Sequence, residues 1–179
     1  MENKIDRPLN WSVYYCDYGR YQNPLPAGPS ARASDANVAY TRPALESIRS
    51  TWEASFHEDQ VNGALIASGQ RVGLVPEAVV YQNRAKLRLG EALRERFVWG
   101  RSYAANRMPG ASARQRLVYA ALSPILPMIL LARMASTSKR KARLFDRFVR
   151  ARPITAMLVT AWSVGEGIGY LVGHRPTVR

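Results

Sequence analysis

Cysteine and histidine are nearly absent from this chain of 179 residues: Cys16 stands alone, and His57 and His174 are the two histidines. A single cysteine excludes an intrachain disulfide framework, and so few ligands exclude a Cys/His zinc cluster. The sequence holds no Asp-x-Asp pair, no Gly-rich phosphate loop, no Ser/His/Asp set and no cysteine-nucleophile set. Without Asp-x-Asp, the usual acidic seat for a metal-bound nucleotide diphosphate is missing. The opening residues Met1–Asp6 contain no apolar h-region, so no secretory leader is expected.

Acidic residues are scarce in one region only. Residues 84–152 hold 17 Lys and Arg against 3 acids, a local net of +14, while the remainder has 9 basic and 10 acidic residues, a net of −1. A uniformly basic chain would point to nucleic acid, but a basic block set among apolar segments points to an anionic membrane surface. Interleaved aromatics that would stack on bases are not evident in that block, which ranks nucleic acid last among partners. Apolar residues at 47% and aromatics at 9% place the chain outside the disordered class.

Along the chain, Trp11, Tyr14, Tyr15 and Tyr18 lie at helical spacing and predict a short helix. Residues 22–36, rich in Pro, Gly, Ser and Ala, predict a surface loop. Asn37–Thr41 reads as a short strand, and Pro43 as an early helical position followed by Ala44, Leu45, Ile48 and Trp52. His57-Glu58-Asp59 opens a helix through Val61, Leu65 and Ile66 that Gly69 ends. Arg71–Leu74 and Ala78–Tyr81 read as β-branched strands of a buried sheet separated by Pro76. This order predicts an α/β fold in residues 1–83.

From Arg84 onward, Leu89, Leu93 and Phe97 recur every four residues among arginines, the pattern of a basic amphipathic helix. Two apolar segments follow, Leu117–Met134 and Ile154–Val172, each near the ~20 residues of a spanning helix. Pro124 and Pro127 break the first, and basic residues flank both of its ends. Positive charge on both sides favours insertion from the cytoplasmic face, with a two-span hairpin as the alternative.

The segments Asn37-Val38-Ala39-Tyr40 with Arg42, Phe56-His57-Glu58-Asp59, Gly69-Gln70-Arg71-Val72 and Val75-Pro76-Glu77-Ala78-Val79-Val80-Tyr81 stand in fixed order. In order and spacing they resemble the acceptor half of a family 2 glycosyltransferase. Trp99-Gly100-Arg101 through Arg107 is similar to that family's Gly-Arg element, and Trp162 to Tyr170, with Glu166 inside it, to a signature of its membrane-associated members. The resemblance implies a partial GT-A-like sheet with flanking helices in residues 1–83. It implies an α-helical, membrane-associated hairpin in residues 84–179.

It further implies inverting transfer of a sugar from a nucleotide-sugar donor to an acceptor at the membrane, with Asp59 as base and Glu58 as support. A carboxylate must take the acceptor hydroxyl proton as the oxygen attacks the anomeric carbon, and a helix start favours a charged carboxylate. The bland reading is that two acids at a helix start are caps. Asn37, Tyr40 and Arg42 correspond to the strand lining the cleft, and His57 is a candidate for bonding a sugar or phosphate. Arg101 and Arg107 correspond to binders of a lipid-linked diphosphate, with a solvated basic face as the bland alternative. Glu166 needs a partner in its apolar segment, and Arg101 or Arg133 is the candidate.

Gln82 stands where many relatives carry histidine, and glutamine is a poor metal ligand. No metal site or cofactor is assigned within the chain; magnesium or manganese is expected only with the missing donor half, which a separate polypeptide would supply. The implied enzyme is therefore incomplete and inactive alone. The competing reading is a non-catalytic membrane-surface protein that binds anionic lipid or a partner through its basic region.

Overall fold

Helices account for 65% of the structure and strands for 5%, so the expected α/β arrangement around a partial sheet is corrected to a mainly helical fold. The computed structural model describes residues 1–54, 56–107 and 110–172; His174 lies outside them. The helices are α1 (Pro8–Tyr18), α2 (Arg42–Ser47), α3 (Arg49–Trp52), α4 (Glu58–Ala67), α5 (Leu89–Arg107), α6 (Ala113–Leu122), α7 (Leu126–Lys139) and α8 (Ala142–Val172). The strands are β1 (Glu2–Asn3), β2 (Gly28–Pro29), β3 (Gly73–Leu74) and β4 (Tyr81–Gln82).

Each ladder is two residues long because its sequence prevents extension. β2 and β3 pair antiparallel, Gly28 opposite Leu74 and Pro29 opposite Gly73. Pro29 brings no N–H to the ladder, and the glycines bring no side chains to pack on it. The β-branched residues around Pro76 therefore have no sheet to join, since strand preference expresses fit to a half-buried pleated surface rather than an intrinsic bias. Asn37–Thr41, expected as a strand, instead leaves a 3₁₀ turn at Asp35–Asn37 and continues without a ladder.

The chain divides into two compact units. The first comprises Met1–Glu2 with Arg20–Gln82. Its core is the cluster Ala33, Ile48, Val61, Leu65 and Val72, against which Leu45, Trp52 and Tyr40 pack. α4 ends where Gly69 takes φ +83°, a conformation that L side chains adopt rarely. The Gln70 N–H then reaches back to the Leu65 carbonyl at 2.9 Å.

The second unit comprises Asn3–Gly19 with the chain from Asn83 onward. α8 is its central element, carrying α5, α1, α6 and α7. α5 meets α8 backbone to backbone: a Cβ at Gly165 would lie 2.1 Å from the Phe97 carbonyl oxygen, and one at Gly100 2.2 Å from that of Trp162. Gly169 and Ala104 extend the same close crossing, which only small residues permit. α1 is seated on α8 by the Tyr15 hydroxyl, which donates to the Leu144 carbonyl at 2.6 Å, and by the Tyr15–Phe148 ring contact. Arg96 of α5 meets Asp17 of α1 at 2.6 Å; burial pushes the Asp17 carboxyl up, and Arg96 pulls it back.

Pro124 and Pro127 interrupt the α-helical pattern of the first apolar segment, as expected: α6 ends at Leu122 and α7 begins at Leu126. α6 and α7 run on through a single 3₁₀ turn, Ser123–Ile125, as one helix of 27 residues. The two prolines withhold the N–H groups that the Ala120 and Ser123 carbonyls would accept in an unbroken α-helix. The Ser123 hydroxyl donates to Ala120 at 2.6 Å, and the Ser163 hydroxyl of α8 donates to Ser123. Polar side chains thus satisfy the backbone where the prolines interrupt it, as helices in apolar surroundings require.

Candidate functional site

In the first unit, a cleft of ≈ 460 Å³ opens between the Asn37–Thr41 stretch and the Gln70–Pro76 stretch, with Tyr21 on its wall. Asn37 and Tyr40 both line it, but their polar atoms also serve the scaffold. The Asn37 amide donates to the Ala78 carbonyl at 2.6 Å. The Tyr40 hydroxyl donates to the side-chain oxygen of Asn62 at 2.9 Å, and the buried Asn62 amide donates to Ala33 at 3.2 Å. This chain of bonds fastens α4 to the cleft wall. A buried amide left without such partners would be costly.

Glu58 and Asp59 occupy the first turn of α4, where the unpaired N–H groups and the helix dipole favour negative charge. Asp59 faces the Arg32 guanidinium at 3.8 Å, both side chains half-exposed. Tyr21 registers the pair from the cleft: burial, then the charges of Glu58 and Asp59, push its phenol up to about 12. Glu58 and Asp59 are not among the cleft-lining residues; Tyr21, which lines it, is the group that feels their charge. His57 precedes α4 and gives its carbonyl to the Gln60 and Val61 N–H groups, without a side-chain cap. Arg42 is exposed at the start of α2 and is not among the cleft-lining residues. Neither Arg32 nor Tyr21 was signalled by the sequence: Arg32 lies in the segment 22–36 that reads as loop, and Tyr21 directly precedes it.

In the second unit, the structure corrects one expectation. Glu166 is buried, and its cationic partner is Arg107 at 3.7 Å rather than Arg101 or Arg133. Its two oxygens are taken by the Tyr170 hydroxyl at 2.8 Å and the Trp162 indole N–H at 2.9 Å. Trp162, Glu166 and Tyr170 are four residues apart, so one helix face brings all three together. Arg101 and Arg107 are six residues apart on α5, which turns them roughly 120° from each other. Arg116 of α6 donates from Nε to the Tyr170 carbonyl at 2.8 Å.

The helix Ala113–Lys139 is long and apolar enough to cross a membrane, with only 6% of its apolar window buried. Leu117, Leu122, Ile125 and Met128 are exposed along it, Met128 at 74%. Gln82 is buried in β4. Among the described residues, no three His, Cys, Asp or Glu side chains gather to hold a metal ion. Comparison with protein families, with curated proteins and with solved structures found no match for this chain.

Proposed function

We propose that this chain carries the acceptor side of an inverting glycosyl transfer performed at the cytoplasmic face of a cell membrane. The observation that carries the reading is the acidic pair Glu58–Asp59 in the first turn of α4, whose charge is felt by Tyr21 on the wall of the cleft that Asn37 and Tyr40 also line. Asp59 takes the proton of the acceptor hydroxyl as its oxygen attacks the anomeric carbon of the sugar. The nucleoside diphosphate leaves from the opposite face, so the configuration inverts. Glu58 supports the acceptor, and Arg32 orients the base. The donor nucleotide sugar, with its divalent metal, is bound by a second polypeptide. The long apolar helix and the basic flanks of the second unit hold the reaction at the bilayer.

The test is steady-state transfer by the chain reconstituted with a donor-binding partner. Asp59→Asn keeps shape and removes the base, so turnover falls by about 10²–10⁴-fold with donor binding retained. Glu58→Gln loses less. Near-parent turnover in Asp59→Asn returns the pair to helix capping. One observation favours the alternative, a non-catalytic membrane-surface protein: Asp59 already has an ordinary half-exposed ion-pair partner in Arg32.

A further inference from the structure

The β2–β3 ladder is open on one side. The Ser30 N–H donates to the Val72 carbonyl at 2.8 Å, and Gly28 stands opposite Leu74. In an antiparallel pair, alternate residues turn their backbone groups to opposite edges. Val72 and Leu74 therefore face β2, and Arg71, Gly73 and Val75 turn their N–H and C=O groups away from it. Among the described residues no strand meets that second edge, because β3 has β2 as its one neighbour. The Val75 carbonyl closes a turn with the Ala78 N–H at 3.1 Å. The backbone groups of Arg71 and Gly73, with the Val75 N–H, are left to the open edge.

Arg71, Gly73 and Val75 all line the cleft. Its other wall, the Asn37–Thr41 stretch, also runs extended without a ladder, with Val38 at φ −138°, ψ 144° and Thr41 at φ −72°, ψ 144°. Free main-chain donors and acceptors along a cleft suit an extended peptide, whose own backbone supplies the complementary groups. Charge narrows the peptide further. Arg71 is the one charged side chain among the described lining residues, and no hydrogen bond or ion pair ties it to another described residue. Val75, two residues beyond Gly73, is 61% exposed. A strand with a carboxylate opposite Arg71 and a β-branched residue against Val75 matches both. A second copy of this chain matches worse, since its own β3 brings another Arg71 to the edge.

We propose that the open edge of β3 takes one added strand from a second polypeptide, an extended apolar segment with a carboxylate facing Arg71. The inference rests on the reading above that a second polypeptide binds the donor, and it names the surface on which that polypeptide docks. Main-chain bonds to Arg71 and Gly73 hold the strand, and Arg71 selects an acidic one.

The probe is fluorescein-labelled Thr-Val-Asp-Val-Thr-Val, amidated, titrated with the full chain in neutral maltoside micelles and read by anisotropy. It binds saturably below about 1 mM. Methyl groups on the amides of one edge of the peptide cost at least about tenfold, and on the other edge they leave binding in place. Asn in place of the peptide's Asp costs about threefold, and Arg71→Gln removes that preference. Gly73→Pro deletes a donor from the open edge and weakens binding by about tenfold or more. The site has room for the change, because a Cβ at Gly73 would lie 3.6 Å from the Gly28 carbonyl oxygen, an ordinary contact.

Parent-like binding in Gly73→Pro overturns the proposal, as does equal binding of both methylated peptides. A dimer of the chain that Gly73→Pro dissolves makes a second copy the occupant and overturns it too. Circular dichroism establishes that the variants remain helical; if Gly73→Pro unfolds, Arg71→Gln and the methylated peptides decide. Peptide docking needs no sugar transfer. Asp59→Asn therefore binds the peptide like the parent, and loss of the catalytic reading leaves this result standing.

Discussion

The two units solve the same problem, ordering a chain, by different physical means. The first buries a small apolar cluster and fastens it with side-chain hydrogen bonds from Asn62, Tyr40 and Trp52. The second brings helices into backbone contact at Gly100, Gly165 and Gly169 and leaves large aliphatic residues on its outside. Hydrophobic burial requires water as the alternative, and a lipid bilayer removes that alternative. Close packing of small residues and internal hydrogen bonds work in either medium. The second unit's devices, including the serines that serve the carbonyls at Pro124 and Pro127, are those suited to an apolar surrounding.

Substitutions that strike one device and spare the other sharpen this contrast. The largest effect is expected from Gly165→Leu, whose first added carbon meets the Phe97 carbonyl at 2.1 Å. Backbone cannot yield there as a side chain would, so the second unit loses more than about 3 kcal/mol while the first is unaffected. Hydrogen exchange resolved by segment reads both. Uniform protection loss across the chain would erase the distinction between the units.

Leu65→Ala is the reciprocal probe. It hollows the first unit's cluster and costs about 2–3 kcal/mol, near the low end for leucine because a small cluster collapses more readily. Exchange in α5 and α8 should stay at the parent level. Tyr170→Phe removes a charge-assisted bond to Glu166 and the hydroxyl that receives Arg107. It should cost about 2 kcal/mol in a detergent-phase melt; a melt unchanged from the parent would assign the network no share in stability.

The smallest effect is a pH dependence confined to the first unit. The Tyr21 phenol is raised from its ordinary value near 10 to about 12, so the folded chain holds that proton longer than the unfolded chain. The contribution is fully present below pH 10 and fades as pH rises toward 12. Tyrosinate absorbance with Tyr21→Phe as the reference reads it, and a Tyr21 step near pH 10 would contradict the placement beside Glu58 and Asp59.

Helix α1, helix α4 with its Gly69 stop, helix α5 and the Ile154–Val172 part of α8 were readable in the sequence, because apolar spacing and capping act within a few residues of each other; the basic residues before Ile154 read as a connecting loop, yet α8 starts at Ala142. The sheet was not. Val72, Val79 and Val80 carry the composition of strands, yet strands exist only with partners, and Pro29, Pro76 and the neighbouring glycines left ladders of two residues. At the prolines of the apolar segment the carbonyls are served by the 3₁₀ turn's own N–H groups and by side chains, and one of these, Ser163, lies 40 residues away from Ser123.

At the candidate site, the sequence by itself determined the acidic start of α4 and the Trp162–Glu166–Tyr170 spacing, since each depends on local periodicity. Tertiary structure alone decided that Arg32 meets Asp59, that Tyr21 feels both acids, and that Glu166 pairs with Arg107. Those pairings join residues far apart in the chain, and charge recognises its partner by distance in space, on which a linear pattern carries no information.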